Sequence, residues 1–75
     1  MNEHIALVKK WLNDPDSVSQ KELKDNEDAA GRAAEAAATA HWGLPDYAFA
    51  AAHAATNDTA EAAYWVTEYE ELSNG

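Results

Sequence analysis

The stretch SQKELKDNEDAAGRAAEAAATAHWG, residues 19–43, decides the fold. It opens with Ser19 and Glu22 in the S-x-x-E spacing of a capping box, in which each side chain satisfies a backbone N–H at a helix start. Val18 and Leu23 flank that box at the positions of a hydrophobic staple. Leu23, Ala30, Ala34, Ala37 and His41 then fall on one helical face, with Asn26 or Glu27 filling the gap. The run contains no β-branched alternation and no hairpin signal, so a long helix near residues 19–42 is expected, with Gly43 as its C′ residue. Gly31 inside the run costs about 1 kcal/mol relative to Ala, which points to a close helix approach or a local kink. Trp42 is the expected wedge at its end.

Working outward, NEHIALVKKWLND reads as a first helix near residues 3–13. Asn2 is its N-cap, and Ile5, Val8 and Leu12 form a stripe flanked by His4, Leu7 and Trp11. Pro15 ends it. Beyond Gly43, Pro45 and Asp46 suit a helix start, and a third helix is expected near residues 46–56 with Phe49, Ala50, His53 and Ala54 on one side. Asp58 and Glu61 form a second capping-box-like pair opening a fourth helix near residues 59–72. Its expected stripe is Ala62, Trp65, Val66, Tyr69 and Leu72. The fold class expected is all-α: one domain over residues 1–75, a small bundle of about four helices with short connections and Ala-rich close-packed interfaces.

Composition shapes what such a bundle can do. Apolar residues make up 47% of the 75 residues, but 18 of them are alanine. One buried methyl returns less than the roughly 1.5 kcal/mol that ordering a residue costs. The alanines must therefore let helices approach closely, or a partner must cover a face. Ala30, Ala34 and Ala37 are the in-line small residues that could meet a second copy, so a homo-oligomer is one expectation. There is no cysteine, hence no disulfide, thiolate zinc site or cysteine nucleophile. No run reaches the roughly 20 apolar residues of a membrane span, and the N-terminus lacks a signal-peptide pattern. A soluble cytoplasmic chain without membrane contact is expected.

The net charge is −9, and all five Lys and Arg residues lie in the first 32 positions. From Ala33 onward there are seven acids and no Lys or Arg. Direct nucleic-acid binding needs cations that release counterions, so it is disfavoured. An acidic half suits solubility or attraction to a basic protein surface. Glu61, Glu68 and Glu71 recur at i, i+7 and i+10 on the last helix, opposite its apolar stripe. They are placed toward water rather than around a pocket, so they form an acidic ridge and not a general acid–base pair. Tyr64 neighbours Glu61 and Glu68 on that ridge. His41 and His53, with Asp46 or Glu35, are the only candidate metal ligands. No HExxH or i,i+4 histidine pair supports them, and neither a metal nor another cofactor is expected. Nucleophile and phosphate-loop motifs are absent, and no catalytic residue is assigned.

Two pieces, WLNDPDSVSQKEL at 11–23 and AAYWVTEYEEL at 62–72, together resemble a group of short, acidic, Ala-rich proteins of unknown function encoded by large tailed bacteriophages. The resemblance implies a small phage protein acting in the host bacterial cytoplasm and aimed at a host protein. It transfers no site residues. The reading that follows is a non-enzymatic protein that binds and modulates a host protein with a basic surface, through Asp58, Glu61, Tyr64, Glu68 and Glu71. Nucleic-acid mimicry and counter-defence are its sharper forms, and a self-associating structural module is the alternative.

Overall fold

Local capping sets where each helix begins. In a computed structural model, which describes residues 2–37 and 43–74, Asn2 Oδ1 accepts from the N–H groups of His4 (2.8 Å) and Ile5 (3.3 Å). It starts α1, Glu3–Asn13. A single 3-10 turn, Pro15–Ser17, follows and is tied by Ser17 Oγ to the Asp14 carbonyl. α2, Gln20–Ala37, begins with the expected reciprocal box: Glu22 N–H donates to Ser19 Oγ at 3.1 Å, and Ser19 N–H donates to Glu22 Oε1 at 3.2 Å. Val18 and Leu23, the staple positions, are both buried. The expected continuation of this helix over 38–42, including His41 and Trp42, lies outside the described residues.

Gly43 is the N-cap of α3, Leu44–Ala55, and its expected place as C′ residue of the second helix turns on residues 38–42, outside the described residues. Its φ is −118° with extended ψ, and its N–H donates to Asp46 Oδ2 at 2.9 Å. α3 therefore starts two residues before the expected position. Pro45 sits in the first turn, where its missing N–H costs nothing. α4, Thr59–Asn74, starts where expected and runs two residues further. Asp58 Oδ1 accepts from Ala60 N–H at 2.9 Å. The return half of the expected Asp58–Glu61 box is not needed, because Asp58 N–H already donates to the Ala54 carbonyl at 2.7 Å.

These four helices form an all-α bundle with no strand among the described residues. α3 packs against all three other helices, most extensively against α4, and α1 also reaches all three. Among the described residues, α2 and α4 make no close approach and so flank the α1–α3 pair. α2 and α3 are antiparallel: Glu27 meets His53, and Gly31 meets Phe49. α3 and α4 are joined by only three residues, so they pack as an antiparallel hairpin. No described helix is long and apolar enough to cross a membrane.

The core explains the alanine content. Ala48, Ala51, Ala52, Ala54 and Ala55 of α3 are all buried, as is Ala62 of α4. A helix with methyl groups over such a broad arc can receive three neighbours at once. Larger side chains fill the remaining space: Ile5, Val8, Val18, Leu23, Val66 and Tyr69, with Trp11 and Trp65 packed half-buried at the margin. Two expectations are corrected here. Phe49 and His53 do not line the core side of α3; both are exposed at its edge toward α2, because the alanines occupy the inner face. Leu72 is 51% exposed, because the 16-residue α4 outruns the 12-residue α3 it packs on.

Candidate functional site

Ala62, Val66 and Tyr69 of α4 are buried in the core it shares with α3 and α1, which turns the opposite side of that helix outward. Glu61, Tyr64 and Glu71 are exposed there, and Glu68 is half-buried. At about 1.5 Å rise per residue, the stripe from Glu61 to Glu71 extends roughly 15 Å along the helix. The structure thus brings four of the five expected binding residues to one surface. Asp58 stands apart in role. Its carboxylate caps α4 and is engaged by the backbone of its own helix.

Within the stripe, Tyr64 has a shifted ionisation, whose first cause is hydrogen bonding with the Glu68 carboxylate one turn further on. That hydrogen bond, then the Glu68 charge, raises the phenol pKa above its ordinary value. Smaller contributions in the same direction come from Tyr47 and Glu71. The Tyr64 ring meets Trp65 edge-on, with centroids 5.1 Å apart and an interplanar angle of 75°. Trp65 in turn lies 5.8 Å from Tyr47 at 59°. Tyr47 was not expected at this surface. Its place follows from the α3–α4 hairpin, in which residues about equally far from the connection face each other.

The fourth acid of the helix, Glu70, points to a different side. Lys9 Nζ lies 2.7 Å from its Oε2 and ties α1 to α4. Lys21 of α2 pairs within its own helix, with Asp25 at 2.7 Å. No Lys or Arg occurs on α3 or α4.

The other sequence candidates are distributed differently. Ala30 is 1% exposed and buried against its own chain. Ala34 is half-buried and Ala37 exposed. Of the three, Ala30 is enclosed by its own chain, while Ala37 and part of Ala34 face outward. His53 Nδ1 is hydrogen-bonded to Glu27 of α2, while its ring lies 6.1 Å from that of Phe49. Asp46 holds the start of α3, and Glu35 is exposed on α2. Among the described residues, no group of three or more His, Cys, Asp or Glu side chains is placed to hold a metal.

One buried polar pair had no sequence signal beyond its ambiguous position. His4 on α1 and Asn26 on α2 bond to each other inside the bundle. Asn26, not Glu27, fills the gap in the α2 face. The buried side-chain polar atoms among the described residues all have partners.

Comparison with known proteins gives no match to any family model, curated protein or solved structure.

Proposed function

We propose that this chain is a small, acidic, non-enzymatic phage protein that binds and modulates a host protein, holding a basic surface against Glu61, Tyr64, Glu68 and Glu71 of α4. The observation that carries the reading is the outward stripe itself. Three carboxylates and an exposed tyrosine share one side of a helix that has no cation of its own. Tyrosine supplies contact area at low entropic cost, and aligned carboxylates steer a basic partner into register. The acids face solvent rather than a pocket, so the arrangement suits recognition and not proton transfer.

Charge density chooses between the forms of this reading. Duplex DNA presents one negative charge per about 1.7 Å of axis. The stripe offers three over roughly 15 Å, about a third of that density. A basic patch on a protein is therefore a better fit than a groove shaped for nucleic acid.

The test is capture from bacterial lysate at about 0.1 M and about 1 M salt, across which the Debye length falls from about 10 Å to about 3 Å. A partner held by the stripe is retained at low salt and released at high salt. It is also lost when Glu61, Glu68 and Glu71 are replaced together by Lys. A partner retained unchanged under both conditions and by the triple variant rules the stripe out as its binding face.

A further inference from the structure

α1 and α4 lie side by side and antiparallel: Asn2 and Asn74 line one cleft between them, and Asn13 and Ala63 line another. The second cleft is an open groove. Ala6 of α1 and Ala63 and Thr67 of α4 are exposed along it, above the more deeply set Leu12 and Val66. Side chains this short let a further helix come close, since the distance between packed helices follows the residues at the contact. The charged groups lining the groove are two lysines and no acid, in a chain of net charge −9. Lys9 is held by Glu70 at 2.7 Å. Lys10, exposed beside it, forms no ion pair with a described residue. The matching charge stands on the same helix. Glu3 and Lys10 lie either side of Ala6 at heptad spacing, which brings all three to the outer face of α1. The Glu3 side chain is 89% exposed, with Oε1 3.9 Å from His4 Nε2.

We propose that this groove receives α1 of a second copy of the chain, so that two molecules pair about a twofold axis at Ala6. The arrangement is self-complementary. Each copy's α1 lies in the other's groove, a closed isologous contact. With the two α1 helices antiparallel and Ala6 at the axis, residues beyond Ala6 on one copy face residues before it on the other. Lys10 of each copy then stands opposite Glu3 of its twin. Charge favours a second copy over a helix of another protein. The acid that Lys10 needs is supplied by the chain itself, at the register the twofold sets. Glu3, Lys9, Lys10 and Glu70 also sum to zero, so this face is spared the self-repulsion that a net charge of −9 brings. Composition points the same way. A chain this short buries only about 60% of its unfolded surface when it folds alone. None of Glu61, Tyr64, Glu68 and Glu71 lines the groove, so the dimer carries one open acidic stripe per copy.

The experiment is sedimentation velocity of the full chain from about 1 μM to about 1 mM, the span of weak dissociation constants. A reversible monomer–dimer equilibrium is expected, with no larger species, because a twofold contact closes on itself. Lys10→Glu turns two attractive contacts repulsive at once and is expected to weaken the dimer by about tenfold. Glu3→Lys does the same. Mixed in equal amounts, the two variants dimerise as the unaltered chain does, since each altered residue then faces its complement. Circular dichroism checks that each variant is folded. Should Glu3→Lys not be, Ala6→Arg serves in its place: the exposed position tolerates the side chain, and its length at the axis abolishes the dimer. A monomer at the highest concentration, growth beyond the dimer, or a dimer that Lys10→Glu leaves unchanged overturns the proposal. So does a mixture of the charge variants that associates no better than either alone, or a dimer that survives Ala6→Arg.

Discussion

Asn26 bonds twice to His4: its Oδ1 lies 2.9 Å from His4 Nδ1, and its Nδ2 donates to the His4 carbonyl oxygen at 3.2 Å. The second bond fixes the first. A carbonyl only accepts, so the amide nitrogen must face it, and Asn26 Oδ1 must then receive a proton from Nδ1. Both residues are 9% exposed. Asn26→Ala strips the His4 ring of its buried partner and is expected to cost about 1–3 kcal/mol. The double variant His4→Leu with Asn26→Leu removes donor and acceptor together and should cost less than the single change. Denaturant unfolding reads both. A loss within about 0.5 kcal/mol for Asn26→Ala, the range of ordinary surface changes, would show that the pair does not hold α1 on α2.

Gly31 faces the Phe49 ring. A Cβ at this position would meet Phe49 Cε1 at 3.1 Å and Cδ1 at 3.4 Å. Two effects oppose each other in Gly31→Ala. Helix propensity favours Ala by about 1 kcal/mol, while the new methyl must displace the ring by a few tenths of an ångström. Phe49 is 37% exposed, so its ring can yield outward, and a net gain is expected. For a domain of this size it amounts to a rise in Tm of a few degrees, below the about 4–8 °C that a full kcal/mol brings. Gly31→Leu exceeds what the ring can yield and is expected to lower Tm. A fall in Tm for Gly31→Ala itself would show that Phe49 is clamped in place.

Three of the four α-helix starts were legible in the sequence because their caps are local; Gly43, without a side chain, gave no such signal. Asn2, Ser19 with Glu22, and Asp58 each act on a backbone group two or three residues away, and spacing alone identifies them. The partners of each helix were not legible, because alanine gives no direction. On α3 methyl groups surround most of the helix, so Phe49 and His53 looked like its inner face and are in fact its edge toward α2. The choice between Asn26 and Glu27 depended on what stood opposite: His4 takes the amide, and His53 takes the carboxylate. In the candidate site, the stripe Glu61, Tyr64, Glu68 and Glu71 followed from helical period. Tyr47 required the hairpin register, which no short-range pattern carries.

The two capping pairs should respond differently to substitution. Ser19→Ala removes the acceptor for Glu22 N–H and is expected to cost about 0.5–2 kcal/mol. Glu22→Ala loses the return bond to Ser19 N–H and costs part of that. Glu61→Ala, at the matching position on α4, should stay within about 0.5 kcal/mol, since Asp58 N–H is already bonded to the Ala54 carbonyl. Thermal unfolding of the three variants compares them directly. Equal losses at Glu22 and Glu61 would contradict the asymmetry between the two helix starts.

Tyr64 should titrate later than a free tyrosine, and Glu68 is the cause. Hydrogen bonding with the Glu68 carboxylate favours the neutral phenol, whereas a phenolate would stand beside a like charge. The folded-state value is therefore raised above the ordinary value of about 10. The sign of the linkage follows: any stability from the bond is fully present below about pH 10 and is lost as pH rises through the folded value. Tyr64 is exposed, so the informative measurement is its own ionisation rather than the stability curve. Phenolate absorbance followed with pH, with Tyr64→Phe identifying its contribution, gives that ionisation. Glu68→Gln removes the charge and should bring the midpoint back toward about 10. Glu71→Gln, which removes a smaller influence, should move it less. A midpoint indifferent to Glu68→Gln would mean that Tyr64 is not held against Glu68 in solution, and the ring and carboxylate would then not be presented to a partner as one unit.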